Sequence, residues 1–286
     1  MTATAVYARR FASLVKIEHS VFALPYAYSA AILAEAGIPP FATRFWITVA
    51  MVGARSLAMA LNRLIDAEID ARNPRTARRE IPSGLLNRGQ VLGFAAASLA
   101  VFLIAVWQLP SLTHVLWPIP VIGFVIYPYL KRFTWTCHFF LGAVDGLAPL
   151  GGWIAVTNHL GLDPFLLGGA VALWIAGFDI IYATMDLEID RAQGLNSVPL
   201  RFGVGRALLI TRAAHLISVV LLVWLGLSLG LGPLYYLGVA VIAGLLTYEN
   251  AIVSEDDLSR VDMAFLTMNG VIAVVFLAGV LLDAVV

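Results

Sequence analysis

Two short strings in the sequence gather carboxylates at helical spacing. Ile-Asp-Ala-Glu-Ile-Asp over 65–70 and Met-Asp-Leu-Glu-Ile-Asp over 185–190 are near copies set 120 residues apart. Positions i and i+4 of a helix share a face, so Asp66 and Asp70 form one carboxylate pair and Asp186 and Asp190 a second. Asp179 stands seven residues before Asp186, two turns deeper on that face, while Glu68 and Glu188 point away. Like charges at i, i+4 destabilise a helix, so building the arrangement twice calls for a compensating cation. Hard divalent ions take oxygen ligands, and Mg²⁺ binds through one or two carboxylates while bridging to substrate phosphates. Two facing pairs would hold Mg²⁺ ions with a diphosphate clamped between them. A solvated acidic helix end paired with nearby arginines accounts for one cluster, but gives no reason for the copy.

Basic residues beside the clusters suit an anionic ligand. Arg72, Arg75, Arg78 and Arg79 crowd the loop after the first cluster, and Lys131–Arg132 end the stretch Tyr127-Pro128-Tyr129-Leu130. Arginine offers bidentate contacts to phosphate and lysine a point charge. Arg72, Arg75, Arg78 and Lys131 are therefore candidate diphosphate ligands, although the arginine excess also serves membrane topology. The histidines His19, His114, His138, His159 and His215 show no metal-ligand spacing. Cys137, the single cysteine, excludes an internal disulfide framework and a multi-cysteine metal site.

The elements that must position these residues are set by composition. Of 286 residues, 60% are hydrophobic and 13% charged, with 18 basic and 18 acidic side chains, and mean hydropathy is +0.88. Soluble domains are about 45–50% apolar and about 25% charged. A soluble protein and a disordered one are both excluded, and zero net charge argues against nucleic-acid binding. A spanning helix needs about 20 mostly apolar residues. Nine such runs are present, at 20–37, 45–65, 91–109, 114–130, 139–156, 165–185, 208–229, 234–252 and 263–285. None alternates as a membrane β-strand would, so the expected fold is all-α and polytopic. With nine spans, sixteen of the eighteen basic residues fall on one side, Arg44 and Arg55 being the exceptions. Arg9, Arg10 and Lys16 precede the first span on that side. Excess Lys and Arg mark cytoplasmic loops, which puts the N-terminus inside and the C-terminus outside. The first run is long for a signal-peptide core and more spans follow it. Glycines 142, 146, 151 and 152 in the fifth run suit close helix packing first and a ligand wall second.

Taken in order, these motifs resemble the UbiA superfamily of intramembrane aromatic prenyltransferases across nearly the whole chain. The family pattern Asn-x-x-x-Asp-x-x-x-Asp is matched by Asn62, Asp66 and Asp70, and a basic loop ending in a Pro-Ser-Gly-like turn by Arg75 through Gly84. Tyr-Pro-x-x-Lys-Arg is matched by 127–132, and Asp-x-x-Tyr-x-x-x-Asp-x-x-x-Asp by Asp179, Tyr182, Asp186 and Asp190. The resemblance implies one prenyltransferase domain over 1–286 with duplicated halves, motifs at 62–70 and 179–190, and nine helices around a central cavity. It further implies an integral protein of a bacterial-type plasma membrane with its active site on the cytoplasmic side. The implied reaction is transfer of a polyprenyl group from its diphosphate to an aromatic acid, dependent on Mg²⁺ held by Asp66, Asp70, Asp186, Asp190 and Asn62. Nothing calls for nucleic acid or an obligate protein partner.

Arg63 departs from the pattern, since many relatives have Asp after the motif's Asn. The variant looks like a subgroup whose acceptors include 4-hydroxybenzoate and 1,4-dihydroxy-6-naphthoate, in ubiquinone and menaquinone synthesis. Arg55 lies two turns before Asn62 on one face. It serves either an aromatic carboxylate or a structural pair with Asp145. Asn62 orients the acceptor or a metal-bound water; Tyr182 bonds diphosphate or is structural; Asp179 joins Arg55 and Asn62 as an acceptor-side residue. A secondary transporter with repeat-related acidic sites is the other reading, and it requires charges within broken helices at mid-span.

Overall fold

The computed structural model describes residues 10–11, 13–15, 23–263 and 267–286. Arg9, Lys16, His19 and the start of the first apolar run lie outside them. Every element among the described residues is helical: α1 Leu24–Glu35, α2 Phe41–Arg72, α3 Arg88–Val106, α4 Ser111–Leu116, α5 Pro118–Leu130, α6 Cys137–Asp145, α7 Leu147–Thr157, α8 Leu162–Ala183, α9 Leu187–Ala192, α10 Val198–Phe202, α11 Val204–Leu229, α12 Pro233–Ala251 and α13 Asn269–Val285. Among the described residues, each apolar run overlaps a helix or a pair of them. Six segments of the described residues are long and apolar enough to cross a membrane: α2, α3, α4 with α5, α6 with α7, α8 through α9, and α11. Leu209, Leu216, Val220 and Leu227 of α11 face outward, as lipid-facing side chains do.

Prolines divide two of the runs. A proline lacks an N–H and its ring clashes with the carbonyl of residue i−4. Pro120 is four residues after Leu116, where α4 ends, and Pro149 is four after Asp145, where α6 ends. Both breaks border the same cavity, which is lined by Leu116, Trp117, Pro120, Asp145 and Leu147 among others.

The helices close a ring. α1 packs on α13, α13 on α12, α12 on α11, α11 on α8, α8 on α6, α6 on α5, α5 on α2 and α2 on α3 and α1. Backbones approach closely where α6 meets α8 and where α7 meets α1. A Cβ on Gly142 would sit 2.0 Å from the Ala172 carbonyl oxygen, and one on Gly152 would sit 2.1 Å from that of Ala27. Only glycine permits those contacts. Gly151 has open space at its Cβ position and lines the cavity instead.

The cavity is about 300 Å³. It lies among α1–α8, whereas the side formed by α8, α11, α12 and α13 is filled. Trp174, Phe178, Tyr235 and Phe276 are buried there with Tyr26. Tyr26 lies against both Trp174 and Phe276, with ring centroids 5.1 Å apart in each case. Large rings at native packing density fill that side among the described residues.

Candidate active site

α2 carries the first cluster. It runs unbroken for 32 residues to Arg72 and buries Arg63, Asp66, Ala67 and Asp70 on one face. The second cluster is built differently. α8 ends at Ala183, a 3₁₀ turn spans Thr184–Asp186, and α9 starts at Leu187. Asp186 and Asp190 therefore do not share one continuous α-helix, and Asp179 is separated from Asp186 by the break. The i, i+4 geometry expected of the second pair holds only for the first.

The loop between α2 and α3 brings the clusters together. It is wound into turns: Asn73 O accepts from the N–H groups of Thr76 at 2.9 Å and Ala77 at 2.8 Å, and Thr76 O accepts from Arg79 N at 2.9 Å. Thr76 Oγ1 donates to the Asp70 carbonyl at 3.0 Å. Asn73 Nδ2 then donates to Asp186 Oδ1 at 3.0 Å. Arg75 Nε donates to the same oxygen at 3.1 Å, its Nη2 bonds Asp186 Oδ2, and its Nη1 donates to the Tyr182 hydroxyl at 2.6 Å. The Arg75 guanidinium also lies 4.9 Å from the Tyr182 ring centroid. Partial burial works against the Arg75 charge, but the hydrogen bond to Asp186 and the nearby Tyr182 and Asp190 outweigh it, holding the group above its ordinary pKa.

Asp66 and Asp70 are 2% and 3% exposed and carry their own cations. Lys131 Nζ donates to Asp66 Oδ2 at 2.7 Å, and Arg132 Nη1 lies 3.2 Å from Asp66 Oδ1. Asn62 Nδ2 donates to Asp66 Oδ2 at 3.3 Å. Arg79 Nη1 donates to both oxygens of Asp70, at 2.7 and 2.8 Å. Asp190 is half-buried, within electrostatic reach of Asp186, Lys131 and Arg75. Arg72 and Arg78 are exposed and make no ion pair with these carboxylates among the described residues. Tyr182 and Lys131 lie beside the acids, Tyr182 through Arg75 and Lys131 on Asp66.

Arg79 and Arg132, noted in the sequence only among the basic residues beside the clusters, hold Asp70 and brace Asp66. Two contributors were not singled out by the sequence: Asn73 joins α2 to Asp186, and His138 Nδ1 lies 2.7 Å from Asp179 Oδ2. No spacing rule marks these two, because a turn-wound loop and the packing of α6 on α8 create their contacts.

Deeper along α2, Arg55 and Asp145 are the two charged residues lining the cavity. Seven residues of helix put Arg55 roughly 10 Å from Asn62 along the axis. Arg55 Nε is buried without a hydrogen-bond partner among the described residues. Asp145 is its nearby opposite charge without forming a direct ion pair with it there. The expected structural pair is thus a loose one. The rest of the wall is apolar, including Ala54, Ala58, Phe124 and Ala148.

Among the described residues, no three His, Cys, Asp or Glu side chains are gathered tightly enough to hold a metal as they stand. Their oxygens are engaged by Arg75, Arg79, Lys131 and Arg132. The arrangement pairs an oxygen-donor set suited to a hard divalent ion with a cation set suited to phosphate. Both clusters lie at helix ends beside the basic loop, not in mid-span, which goes against the transporter alternative.

The model of the UbiA prenyltransferase family matches residues 23–278. The 4-hydroxybenzoate octaprenyltransferase of Marinobacter nauticus is 32% identical over 286 residues, covering 98% of this chain and 97% of that protein. The same-named protein of Aliivibrio fischeri (strain MJ11) is 29% identical over 246 residues, covering 86% of this chain and 85% of that protein. Among solved structures, the apo structure of a UbiA homolog from Aeropyrum pernix K1 matches with a TM-score of 0.85 at 32% identity, covering 93% of this chain and 98% of that one. A UbiA homolog from Archaeoglobus fulgidus bound to DMAPP and Mg²⁺ shares the fold with a TM-score of 0.74 at 19% identity, covering 97% and 99%.

Proposed function

The chain belongs to the UbiA prenyltransferase family, and on that premise we propose that it transfers a polyprenyl group from a polyprenyl diphosphate to an aromatic acid, using Mg²⁺. The observation that carries the reading is the joining of two carboxylate clusters by one basic loop, through Asn73 and Arg75 onto Asp186. The acceptor is 4-hydroxybenzoate, as in the names of the relatives, or the bicyclic 1,4-dihydroxy-6-naphthoate of menaquinone synthesis.

Asp66, Asp70, Asp186 and Asp190, with the Asn62 amide oxygen, are hard donors that fit Mg²⁺. When bound, the metal supplies charge neutralisation to the departing diphosphate. Arg75, Arg79 and Lys131 turn from the carboxylates to the phosphate oxygens, Tyr182 donates to the same group, and Arg72 and Arg78 add charge at the rim. As the carbon–oxygen bond breaks, the diphosphate leaves with the electron pair and an allylic cation forms. The electron-rich ring attacks it to make the carbon–carbon bond and gives up the proton of the attacked carbon to the released diphosphate. The apolar wall keeps water from that cation. Arg55 holds the acceptor's carboxylate, with Asn62 and Asp179 orienting the ring and His138 fixing Asp179. The bundle has nine spans in a bacterial-type plasma membrane, with the N-terminus and this site on the cytoplasmic side.

The test is to incubate purified protein with geranyl diphosphate, Mg²⁺ and each acceptor in turn, reading products by mass spectrometry. A prenylated aromatic acid that disappears with EDTA supports the reading. Geranyl diphosphate left intact with every aromatic acid would refute it.

A further inference from the structure

We infer that Arg63 and Glu80 form a buried ion pair that fixes the basic loop over the carboxylates, which makes both positioning residues for the diphosphate and neither its ligand. The inference rests on the reading of the loop arginines as the diphosphate's partners.

Arg63 lies on the buried face of α2, three residues before Asp66 and seven before Asp70, so the three side chains stack along one stripe. It is 3% exposed, and Glu80 in the loop is 7% exposed. Arg63 Nε and Glu80 Oε2 face each other at 3.8 Å. Each of these two atoms is buried and has no hydrogen-bond partner among the described residues. A charge so enclosed depends on its counter-ion, and removing one member of a buried pair leaves the other uncompensated.

Glu80 is fastened on every other side. Its Oε1 accepts from Ser13 Oγ at 2.8 Å, and its carbonyl accepts from Leu86 N at 2.9 Å. Its chain neighbour Arg79 grips Asp70, and Arg75, five residues earlier, grips Asp186. The loop is thereby pinned to Asp186 through Asn73 and Arg75, to Asp70 through Arg79, and beside Arg79 by the pairing of Glu80 with Arg63. Freeing Glu80 would release the end next to Arg79.

Exposure separates positioning from contact. The side chains of Arg75, Arg79 and Lys131 are 32%, 24% and 29% exposed, open enough to meet an incoming anion. The Arg63 side chain is 3% exposed and already faces a carboxylate. Arg63 is thus balanced within the fold by Glu80, with Arg79 the nearby like charge and Asp66 and Asp70 beside it.

Two readouts test the pair. The first needs no substrate or metal: trypsin cleavage after Arg78 and Arg79 in detergent-solubilised protein, which requires local opening of the loop. Glu80→Gln is expected to speed cleavage about tenfold. The double variant Arg63→Met with Glu80→Met, an apolar replacement of the kind that buried pairs tolerate, is expected to return it to within threefold of wild type. The second is kinetic: Glu80→Gln raises KM for geranyl diphosphate about tenfold, with KM for the aromatic acid unchanged and the double variant restored. Unchanged cleavage in Glu80→Gln overturns the inference. So does a silent Glu80→Gln beside an Arg63→Met loss that the double variant does not rescue, since Arg63 would then touch the diphosphate itself. Absence of any prenyl transfer by wild-type protein would sink the proposed function and leave the cleavage result standing.

Discussion

Arg55 places the acceptor question on one guanidinium. Its Nε has no partner among the described residues, and the wall around it is apolar apart from Asp145. An intramembrane cation of this kind is held for a partner, and the carboxylate of an aromatic acid would complete it. A hydrogen bond to a charged group is worth about 1.5–3 kcal/mol. Arg55→Leu is therefore expected to raise KM for the aromatic acid roughly 10- to 150-fold, while a phenol lacking the carboxylate is used equally by both proteins. Equal loss on both acceptors would assign Arg55 to the frame of the cavity. At this scale the helical spacing read from the sequence holds for Asp66 and Asp70 on α2, not for Asp186 and Asp190 across the 3₁₀ turn. The sequence reading chose Arg72, Arg75 and Arg78 and left out Arg79, which bonds Asp70. Turns between Asn73 and Glu80 decide that Arg75 and Arg79 fold back while Arg72 and Arg78 stay exposed, and no periodicity governs such a loop. His138 reaches Asp179 across 41 residues by packing of α6 on α8, a relation with no trace in local spacing.

At the level of elements, the site depends on helices brought close by glycine and bent by proline. A Cβ at Gly142 would overlap the Ala172 carbonyl, whereas Gly151 faces open space. Overpacking of this kind typically costs about 1–3 kcal/mol. Gly142→Val should lower the melting temperature in detergent by several degrees, and Gly151→Ala should leave it nearly unchanged. Comparable melting of the two variants would mean that α6 and α8 are not held at that distance. The glycine cluster was readable as a packing stripe before the contacts were seen. The 3₁₀ turn at Thr184–Asp186 was not, because 179–190 contains neither proline nor glycine to announce it. An ideal helix drawn through both copies makes them equivalent. The structure makes the first an α-helical face and the second a helix end.

Across the whole molecule, charge distribution and filling divide the labour. Among the described residues, six of the apolar runs lie in segments long enough to cross a membrane, since about 20 apolar residues leave few alternatives in a bilayer. The filling around Trp174 and Tyr26 was not legible, because it is a matter of packing between distant segments. On the proposed topology, the charge bias puts the α2–α3 loop inside. It predicts that a membrane-impermeant maleimide labels Gln108→Cys, beyond α3, on intact cells, and labels Asp256→Cys, in the exposed loop after α12, only after lysis. The reverse pattern would invert the topology and put the diphosphate site on the wrong face.

Two clusters, one from each half of the sequence, are proposed to act as a single site. The most direct test is the rate of Mg²⁺-dependent prenyl transfer by Asp66→Ala and Asp186→Ala, each first shown to keep the wild-type melting behaviour in detergent. Loss of a group that anchors the charge-stabilising machinery typically costs about 10²–10³ in rate, and the account predicts at least that loss from either variant. Transfer at the wild-type rate by both would contradict it.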